Sequence, residues 1–258
     1  MTDVTPGSPT REDGGPAIRF DRVSKRFGVL AVLDEVSFEI PKGTAFCLLG
    51  RSGTGKSVTL RHIVGLVRPD SGRVFVEEHD ITGLSGHPLG EVRKRMGFLF
   101  QNAALFDSMS VGDNVAFPLR RHTKLSDGDV RERARQKLAD VGLEAAYDKM
   151  PGDLSGGMKK RAGLARAMAL DPPILLVDEP SAGLDPITAK EIDDLLVTTK
   201  QAGTTLVVVT HNIPSARVIG DHFAVLHEGR MLAHGTLQEL DASEEPLVQS
   251  FMQSQGGG

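Results

Sequence analysis

The residues best suited to chemistry lie in GRSGTGKS, residues 50–57, where three glycines precede a lysine and a final serine. The apolar segment AFCLL comes before it, and SVTLRHIVGL continues it with the apolar spacing of a helix. In such a turn, small residues let backbone N–H groups converge on phosphate oxygens at the positive end of the helix. The spacing G-x-x-x-x-G-K-[ST] therefore predicts a nucleotide-binding P-loop, although an ordinary glycine-rich turn would share its composition.

Individual positions of this P-loop have separate expected tasks. Lys56 is expected to reach the β- and γ-phosphates of a triphosphate and to support its hydrolysis, and Ser57 is expected to ligate Mg²⁺. The other positions are expected to bind the nucleotide mainly through their backbone: Gly50, Arg51, Ser52, Gly53, Thr54, Gly55 and Val58.

Two adjacent carboxylates end a second apolar segment, ILLVDEP. Asp178 is expected to hold Mg²⁺ through water, since oxygen ligands suit that ion. Glu179 follows directly, so the alternation of a strand would point it away from Asp178 and toward an attacking water. The alternative is a pair of solvated carboxylates at a strand end.

His211 ends a third apolar segment, TLVVVTH. The carboxyl ends of parallel strands meet at one edge of a sheet, so His211 is expected beside the phosphates. There it would donate a hydrogen bond to the γ-phosphate or to the catalytic water. A lone histidine is more often structural, and only the shared edge favours a function.

Alternating strand and helix patterns predict the elements that position these residues. Apolar strands without polar interruption, separated by helical patterns such as Leu60, Ile63, Val64 and Val67, predict an α/β fold whose mainly parallel sheet is covered on both faces. Residues 102–170 contain no evident strand. SDGDVRERARQKLADVGL in that region predicts a helix with Ser126 as N-cap and Asp129 at the capping-box position.

Composition narrows the class of protein. The 258 residues are 40% hydrophobic with a net charge of −4, so nucleic acid is disfavoured as the main partner. The single cysteine, Cys47, is expected to be a buried strand residue in a reducing compartment. Residues 1–16 are predicted to be a disordered arm. No signal peptide or membrane span is evident, which predicts a cytoplasmic protein that another chain would hold at a membrane.

A second phosphate-binding pattern decides the resemblance. LSGGM, residues 154–158, opens the helical segment MKKRAGLARAMAL, whose N-terminus would also attract phosphate. In this order with GRSGTGKS, LLVDEP, SAGLDP and His211, the sequence resembles the ATP-binding-cassette (ABC) ATPase family from Ile18 to about Leu240. The resemblance implies a P-loop NTPase fold over residues 17–240, with an antiparallel β subdomain and a helical subdomain at about 102–170.

The same resemblance implies roles for further residues. Two subunits would face each other head to tail, so that the turn of one closes over the γ-phosphate on the other's P-loop; that turn comprises Leu154, Ser155, Gly156 and Gly157. Phe27 matches the aromatic residue that stacks on adenine, with a buried strand-end phenylalanine as the alternative. Gln101 matches the glutamine that senses Mg²⁺ and water, and Asp185 ends the loop that passes between the two sites.

Other details indicate a subfamily. Met158 replaces the glutamine that is usual at the fifth signature position, and we expect ATPase activity to survive this change. LSGGM, FDSMSVGDNVAFPLR, GLDPIT and EEPLVQSFMQS together are similar to the ATPases of bacterial MCE-type (Mla) phospholipid transporters. That similarity implies a homodimer on the cytoplasmic face of the inner membrane, a permease docked on residues 101–119, an MCE-domain protein and a possible small regulatory subunit.

Some alternatives stay open at this level. In the tail, residues 241–258, an apolar stripe would pack either against the partner subunit or on its own domain; its members are Leu247, Val248, Phe251 and Met252. The chain could also serve an importer of another small solute or a non-transport ABC ATPase, although no long coiled-coil insertion or second cassette is evident. A P-loop kinase would leave the signature turn unexplained.

Overall fold

Two β-sheets form the framework of the computed structural model, which describes residues 15–51 and 53–253. The strands are β1 (Ile18–Phe27), β2 (Leu30–Ile40), β3 (Ala45–Leu49), β4 (Ser71–Val76), β5 (His79–Asp80), β6 (Met96–Leu99), β7 (Ile174–Asp178), β8 (Thr205–Thr210), β9 (His222–His227) and β10 (Arg230–Gly235). A sheet of four strands has the order β2-β1-β4-β5, and a sheet of six strands has the order β10-β9-β3-β8-β7-β6. The smaller sheet is antiparallel.

Helices cover and connect these sheets. They are α1 (Lys56–Ile63), α2 (Gly86–Arg93), α3 (Val111–His122), α4 (Asp127–Asp140), α5 (Gly156–Ala167), α6 (Pro186–Gln201), α7 (Ile213–Ile219), α8 (Leu237–Asp241) and α9 (Pro246–Gln253). Within the described ranges, no helix combines the length and hydropathy that crossing a bilayer requires. The predicted fold class is confirmed.

The larger sheet is buried on both faces. Its strands β6, β7, β8, β3 and β9 pair in parallel, and only β10 runs antiparallel. Cys47 and Leu49 of β3 enter the core beneath the helices, whereas Phe46 and Leu48 enter the core between the two sheets. Burial raises the pKa of the Cys47 thiol to about 12, so this residue is an inert core thiol, as predicted.

The helical region between β6 and β7 begins as its local sequence predicts. The Ser126 hydroxyl accepts from the Asp129 backbone N–H at 3.2 Å and donates to the Asp129 carboxylate at 2.6 Å. These bonds satisfy an N–H group that the first turn of α4 would otherwise leave open. The buried face of α4 consists of Val130, Ala134 and Leu138. Residues 102–170 contain no strand, in agreement with the sequence.

Helix α1 is shorter than its apolar pattern suggested. It ends at Ile63, because Gly65 adopts a left-handed φ of 65° and its N–H bonds to the His62 carbonyl at 3.0 Å. Leu60, Ile63 and Val64 are buried as expected. Val67 falls outside the helix and is only half-buried, so its place in the pattern was wrong.

The C-terminal tail packs on its own chain. Val248 and Met252 of α9 are buried in the core beneath the helices, and Arg217 donates to the Met252 carbonyl at 3.1 Å. Between the two alternatives for the stripe, the structure shows own-domain packing for these two residues, while Leu247 stays exposed. Residues 1–14 of the predicted arm and 254–258 of the tail lie outside the described residues.

Helix α6 buries a carboxylate against α7. Asp193 bonds to Ser215, but its Oδ1 has no hydrogen-bond partner in the described part of the chain. Burial raises the pKa of Asp193 from 3.8 to about 6. Because the native pKa is the higher one, ionisation destabilises the fold. This penalty is absent well below pH 4, grows between about pH 4 and pH 6, and is constant above that range.

We therefore expect Asp193→Asn to stabilise the fold more at neutral pH than in acid. From the raised pKa, the gain in unfolding free energy over wild type should be about 1–2 kcal/mol larger at pH 7.5 than at pH 5. Urea unfolding of both proteins at the two pH values measures this difference. The exposed Asp148→Asn, at a position that is not among the charges acting on Asp193, is the control, and an equal gain at both pH values would contradict the prediction.

Candidate nucleotide-binding and hydrolysis site

The P-loop connects the end of β3 to the start of α1. At two of its glycines, the backbone of neighbouring strands lies so close that a side chain would not fit. A Cβ at Gly50 would lie 2.5 Å from the Leu226 carbonyl oxygen. Gly55 has a φ of 101°, and a Cβ there would lie 2.7 Å from the Val32 carbonyl oxygen. Among the described residues, no side chain caps the first turn of α1, so its N–H groups are available to an anion. The loop therefore fits phosphate.

Lys56 is a buried cation that spans the loop and the acidic residues. Its Nζ donates to the Gly50 carbonyl at 2.8 Å and to the Arg51 carbonyl at 3.0 Å. The same Nζ lies 3.7 Å from Glu179 Oε1. Burial lowers the pKa of Lys56, and the Glu179 carboxylate opposes that shift. A cation is thus held between the phosphate cradle and the carboxylate.

Ser57 and Asp178 supply a pair of oxygen donors. The Ser57 hydroxyl donates to Asp178 Oδ1 at 3.0 Å, and burial raises the pKa of this carboxyl. A hydroxyl and a carboxylate oxygen in contact match the ligand preference of Mg²⁺, so the predicted metal site fits these residues. Gln101, in the turn after β6, lines the same cavity as Ser57 and would complete the metal site. When bound, Mg²⁺ would neutralise charge on the β- and γ-phosphates.

The backbone conformation of Glu179 differs from the one that the sequence predicts. Strand β7 ends at Asp178, and Glu179 has a left-handed φ of 47°, so strand alternation does not direct its side chain. Its N–H donates to the Val209 carbonyl at 2.9 Å. Its Oε2 accepts from Thr210 Oγ1 at 3.1 Å. The strand alternation from which the sequence analysis placed the Glu179 side chain was therefore wrong, and the role of Glu179 toward an attacking water stays a prediction.

His211 lies at the same edge, directly after β8. Its Nδ1 is 2.9 Å from Glu179 Oε2, and the imidazole is largely exposed. The parallel register explains why His211 lies beside Glu179 and the P-loop. Asp178 of β7 pairs with Val209 of β8, and Leu49 of β3 pairs with Thr210 of β8, so the three strands end at the same edge. The shared edge inferred from the sequence is therefore present, and the role of His211 toward phosphate or water stays a prediction.

A cavity of about 550 Å³ gathers these groups. The predicted site residues that line it are Arg51, Gly53, Gly55, Lys56, Ser57, Val58, Gln101, Glu179 and His211. Val32 of β2 and Arg61 of α1 also line it and were missed by sequence reasoning. A cavity lining drawn from both sheets could not be found from motif spacing alone. Ser52, predicted to bind phosphate, lies outside the described residues.

Phe27 stands at the end of β1 and is 49% exposed, so the alternative of a buried strand-end residue is wrong. The Lys25 ammonium lies 5.5 Å from the centroid of its ring. An exposed aromatic face can stack on a base, and the adenine contact of Phe27 stays a prediction.

The signature turn forms the N-terminus of α5. Ser155 is the N-cap, and its hydroxyl accepts from the Met158 N–H at 3.3 Å. Ser155 and Gly156 are exposed, whereas Leu154 and Gly157 are buried. Met158 packs against the core beneath the helices. Among the described residues that line the P-loop cavity, none belongs to this turn. The signature turn, whose contact with phosphate stays a prediction, therefore does not share the lining of the P-loop cavity of its own chain.

Asp185 has a capping function in this structure. Its Oδ1 accepts from the Ile187 and Thr188 N–H groups at 3.1 and 3.0 Å, and the Thr188 hydroxyl donates to Oδ2 at 2.6 Å. These bonds, the Thr188 hydroxyl foremost, lower the pKa of Asp185. A Cβ on Gly157 would lie 2.3 Å from Thr188 Cγ2. Thr188 thus joins the signature turn to Asp185, whose contact with nucleotide stays a prediction.

Comparison with known proteins adds the family. A family model described as ABC transporter matches residues 33–182, more than half of the chain. This chain belongs to the ABC transporter family. As an ATP-binding cassette, it is an ATPase. That the cavity around Lys56 binds ATP stays a prediction.

Curated relatives and solved structures extend over most of this ABC cassette. The probable ribonucleotide transport ATP-binding protein mkl of Mycobacterium leprae (strain TN) is 42% identical over 95% of this chain and 71% of its own length. The intermembrane phospholipid transport system ATP-binding protein MlaF of Escherichia coli (strain K12) is 42% identical over 89% of this chain and 86% of its own length. The dimeric structure of MJ0796, a bacterial ABC transporter cassette, has a TM-score of 0.80 and 32% identity, covering 85% of this chain and 98% of that chain.

Proposed function

We propose that this chain is the ATP-hydrolysing subunit of a transporter that moves phospholipid between membranes. The observation that supports phospholipid as the transported molecule is the similarity of this chain to MlaF. This similarity extends over 89% of this chain and 86% of MlaF. The quoted fragments LSGGM and GLDPIT support the same assignment. Hydrolysis of MgATP would supply the energy.

In this proposal the site stabilises charge and activates water. Lys56 and the N–H groups of the P-loop and of the first turn of α1 oppose negative charge on the phosphates. Glu179, held by Thr210 and by His211 at 2.9 Å, orients or deprotonates the attacking water. His211 is largely exposed, so its imidazole can contact the γ-phosphate. Ser57, Asp178 and Gln101 would hold Mg²⁺.

A second copy of the chain completes each ATP site. The turn at Ser155–Gly157 forms the N-terminus of α5, and none of its residues lines the P-loop cavity of its own chain as the structure describes it, which favours closure of that site by a second copy. The solved MJ0796 cassette is a dimer, and a further structure of it is a dimer bound to ADP and Pi. A head-to-tail dimer would bring the signature turn of each copy to the other copy's phosphates.

An apolar groove on the helical region would receive a helix of the permease. A cavity of about 530 Å³ there is lined by exposed aromatic rings, namely those of Phe100, Phe106 and Phe117. The Phe106 and Phe117 centroids are 5.1 Å apart, and Phe98 and Phe100 stack at 4.1 Å. Exposed aromatic clusters of this kind are typical of protein interfaces.

The remaining partners follow from the MCE-type assignment. The permease would hold this subunit as a peripheral protein on the cytoplasmic face of the inner membrane. An MCE-domain protein beyond that membrane would receive or deliver the phospholipid, and a small regulatory subunit would bind the ATPase. The similarity to MlaF supports these partners.

A ribonucleotide is the second candidate cargo. The favouring observation is that mkl, named a probable ribonucleotide transport protein, is 42% identical over 95% of this chain. Cargo is bound by the permease and its accessory proteins, so the cassette itself would look alike in both systems.

Affinity purification from solubilised membranes tests the proposal. The tagged chain should retain an integral membrane protein together with phospholipid, both identified by mass spectrometry. Phe117→Asp in the groove should lose this companion, since a charge would enter an apolar contact. Val218→Asp, at an exposed apolar position of α7 outside the groove, should keep it. Recovery of a permease with bound nucleotide and no lipid would favour the second cargo, and recovery of no membrane protein would contradict transport.

A further inference from the structure

A buried lysine contacts the backbone of Glu179 from the signature helix. Lys160 belongs to α5, is 5% exposed, and its Nζ donates to the Glu179 carbonyl oxygen at 2.9 Å. Among the described residues that line the P-loop cavity, Lys160 does not occur. Burying a lysine is unfavourable unless its charge is compensated, so this position calls for an explanation.

The contact acts on a strained part of the chain. Glu179 has a φ of 47°, a left-handed conformation that is unfavourable for a residue with a side chain. Three hydrogen bonds hold its backbone. The Glu179 N–H donates to the Val209 carbonyl of β8 at 2.9 Å, and the Glu179 carbonyl accepts from Lys160 Nζ at 2.9 Å and from the Ala182 N–H at 3.3 Å. The sheet therefore fixes one side of this residue, while α5 and the turn to Ala182 fix the other, and Lys160 makes the shorter of the two bonds to the carbonyl.

The carboxylate position depends on that backbone. The Glu179 side chain must place Oε1 3.7 Å from Lys56 Nζ and Oε2 2.9 Å from His211 Nδ1. Charge adds to the hydrogen bond, because Asp178 and Glu179 act on the Lys160 ammonium from close range. Burial lowers the pKa of Lys160 to about 8, and those two carboxylates oppose the shift.

We infer that Lys160 is a positioning residue for ATP hydrolysis, which holds the left-handed backbone of Glu179 through its hydrogen bond to the Glu179 carbonyl. Helix α5 carries Ser155 at its start and Lys160 in its second turn. In the dimer proposed above, on which this step rests, a contact of the signature turn with the other copy's nucleotide is transmitted to Glu179 of the same chain.

Three variants separate positioning from general packing. Lys160→Met should lower kcat for ATP about tenfold, while KM and the Kd of a fluorescent ATP analogue stay within about twofold. Lys160→Gln keeps an N–H donor without the charge and should restore kcat to within about threefold of wild type. Lys190→Met is the matched control, because Lys190 lies on α6 with a side chain that is 74% exposed.

The outcomes are distinct. Unchanged kcat in Lys160→Met overturns the inference, and so does an equal loss in the Met and Gln variants with a raised KM, since that pattern indicates general disruption. If Lys160→Met does not fold, Lys160→Gln and Lys160→Arg decide: both should keep kcat within about threefold, and a tenfold loss in both folded proteins overturns the inference. A wild-type chain without ATPase activity would instead refute the proposed function.

Discussion

Glu179→Gln is expected to lower the ATPase rate at least about 100-fold while the protein still binds ATP. The substituted glutamine would keep the size of the side chain and could still accept from Thr210 Oγ1, which lies 3.1 Å from Glu179 Oε2. An amide, however, cannot take a proton from the attacking water, and this proton transfer is the task assigned to the carboxylate. Binding should survive, because the P-loop and Lys56 keep their phosphate contacts.

Phosphate release under saturating MgATP measures the rate, and titration with a fluorescent ATP analogue measures binding. The control is Glu132→Gln, since Glu132 is exposed on α4 away from the cavity. The trapped ATP complex of Glu179→Gln should also elute as a dimer in size-exclusion chromatography. Equal ATPase rates in variant and wild type would remove Glu179 from its role, and a monomer with bound MgATP would contradict the dimeric site.

The convergence of the site could be predicted from sequence because it depends on local patterns and one general rule. GRSGTGKS, Asp178 and His211 each follow an apolar strand, and parallel strands end at one edge. The start of helix α4 could be predicted equally well from the sequence, because Ser126 and Asp129 define it within four residues. Such features depend on near neighbours in the chain.

The backbone of Glu179 could not be predicted in this way. The period of two that governs a strand applies only as far as the strand extends, and β7 stops at Asp178. The backbone of Glu179 is held by hydrogen bonds to Val209 and Lys160, which lie far away in the sequence. Nothing in the residue types around Glu179 indicates a left-handed conformation.

The tail and the cavity wall show the same limit. The stripe on α9 specifies that an apolar surface must cover it, but not whether that surface is its own core or another subunit. Arg217 and the core beneath the helices decide the matter for Val248 and Met252. Val32 reaches the P-loop cavity because β2 of the smaller sheet passes the P-loop at Gly55, a contact between distant segments.

Lys56→Ala is expected to weaken ATP binding itself by about 10- to 100-fold, which is the loss of one or two charge-assisted hydrogen bonds to phosphate. Lys56 Nζ already lies over the loop carbonyls at 2.8 and 3.0 Å and 3.7 Å from Glu179, so the cation is held where phosphate charge would collect. Alanine also leaves the Glu179 carboxylate without its ion pair beside an anionic ligand, which adds to the loss.

Titration with the fluorescent ATP analogue measures this Kd, and Lys190→Ala, which removes an exposed lysine of α6, should leave it unchanged. The two variants should therefore have different defects. Glu179→Gln should bind ATP without hydrolysing it, whereas Lys56→Ala should bind ATP more weakly. Should Lys56→Ala bind ATP as tightly as wild type and lose only kcat, the lysine would act in the transition state alone, and its place in the ground-state phosphate cradle would be refuted.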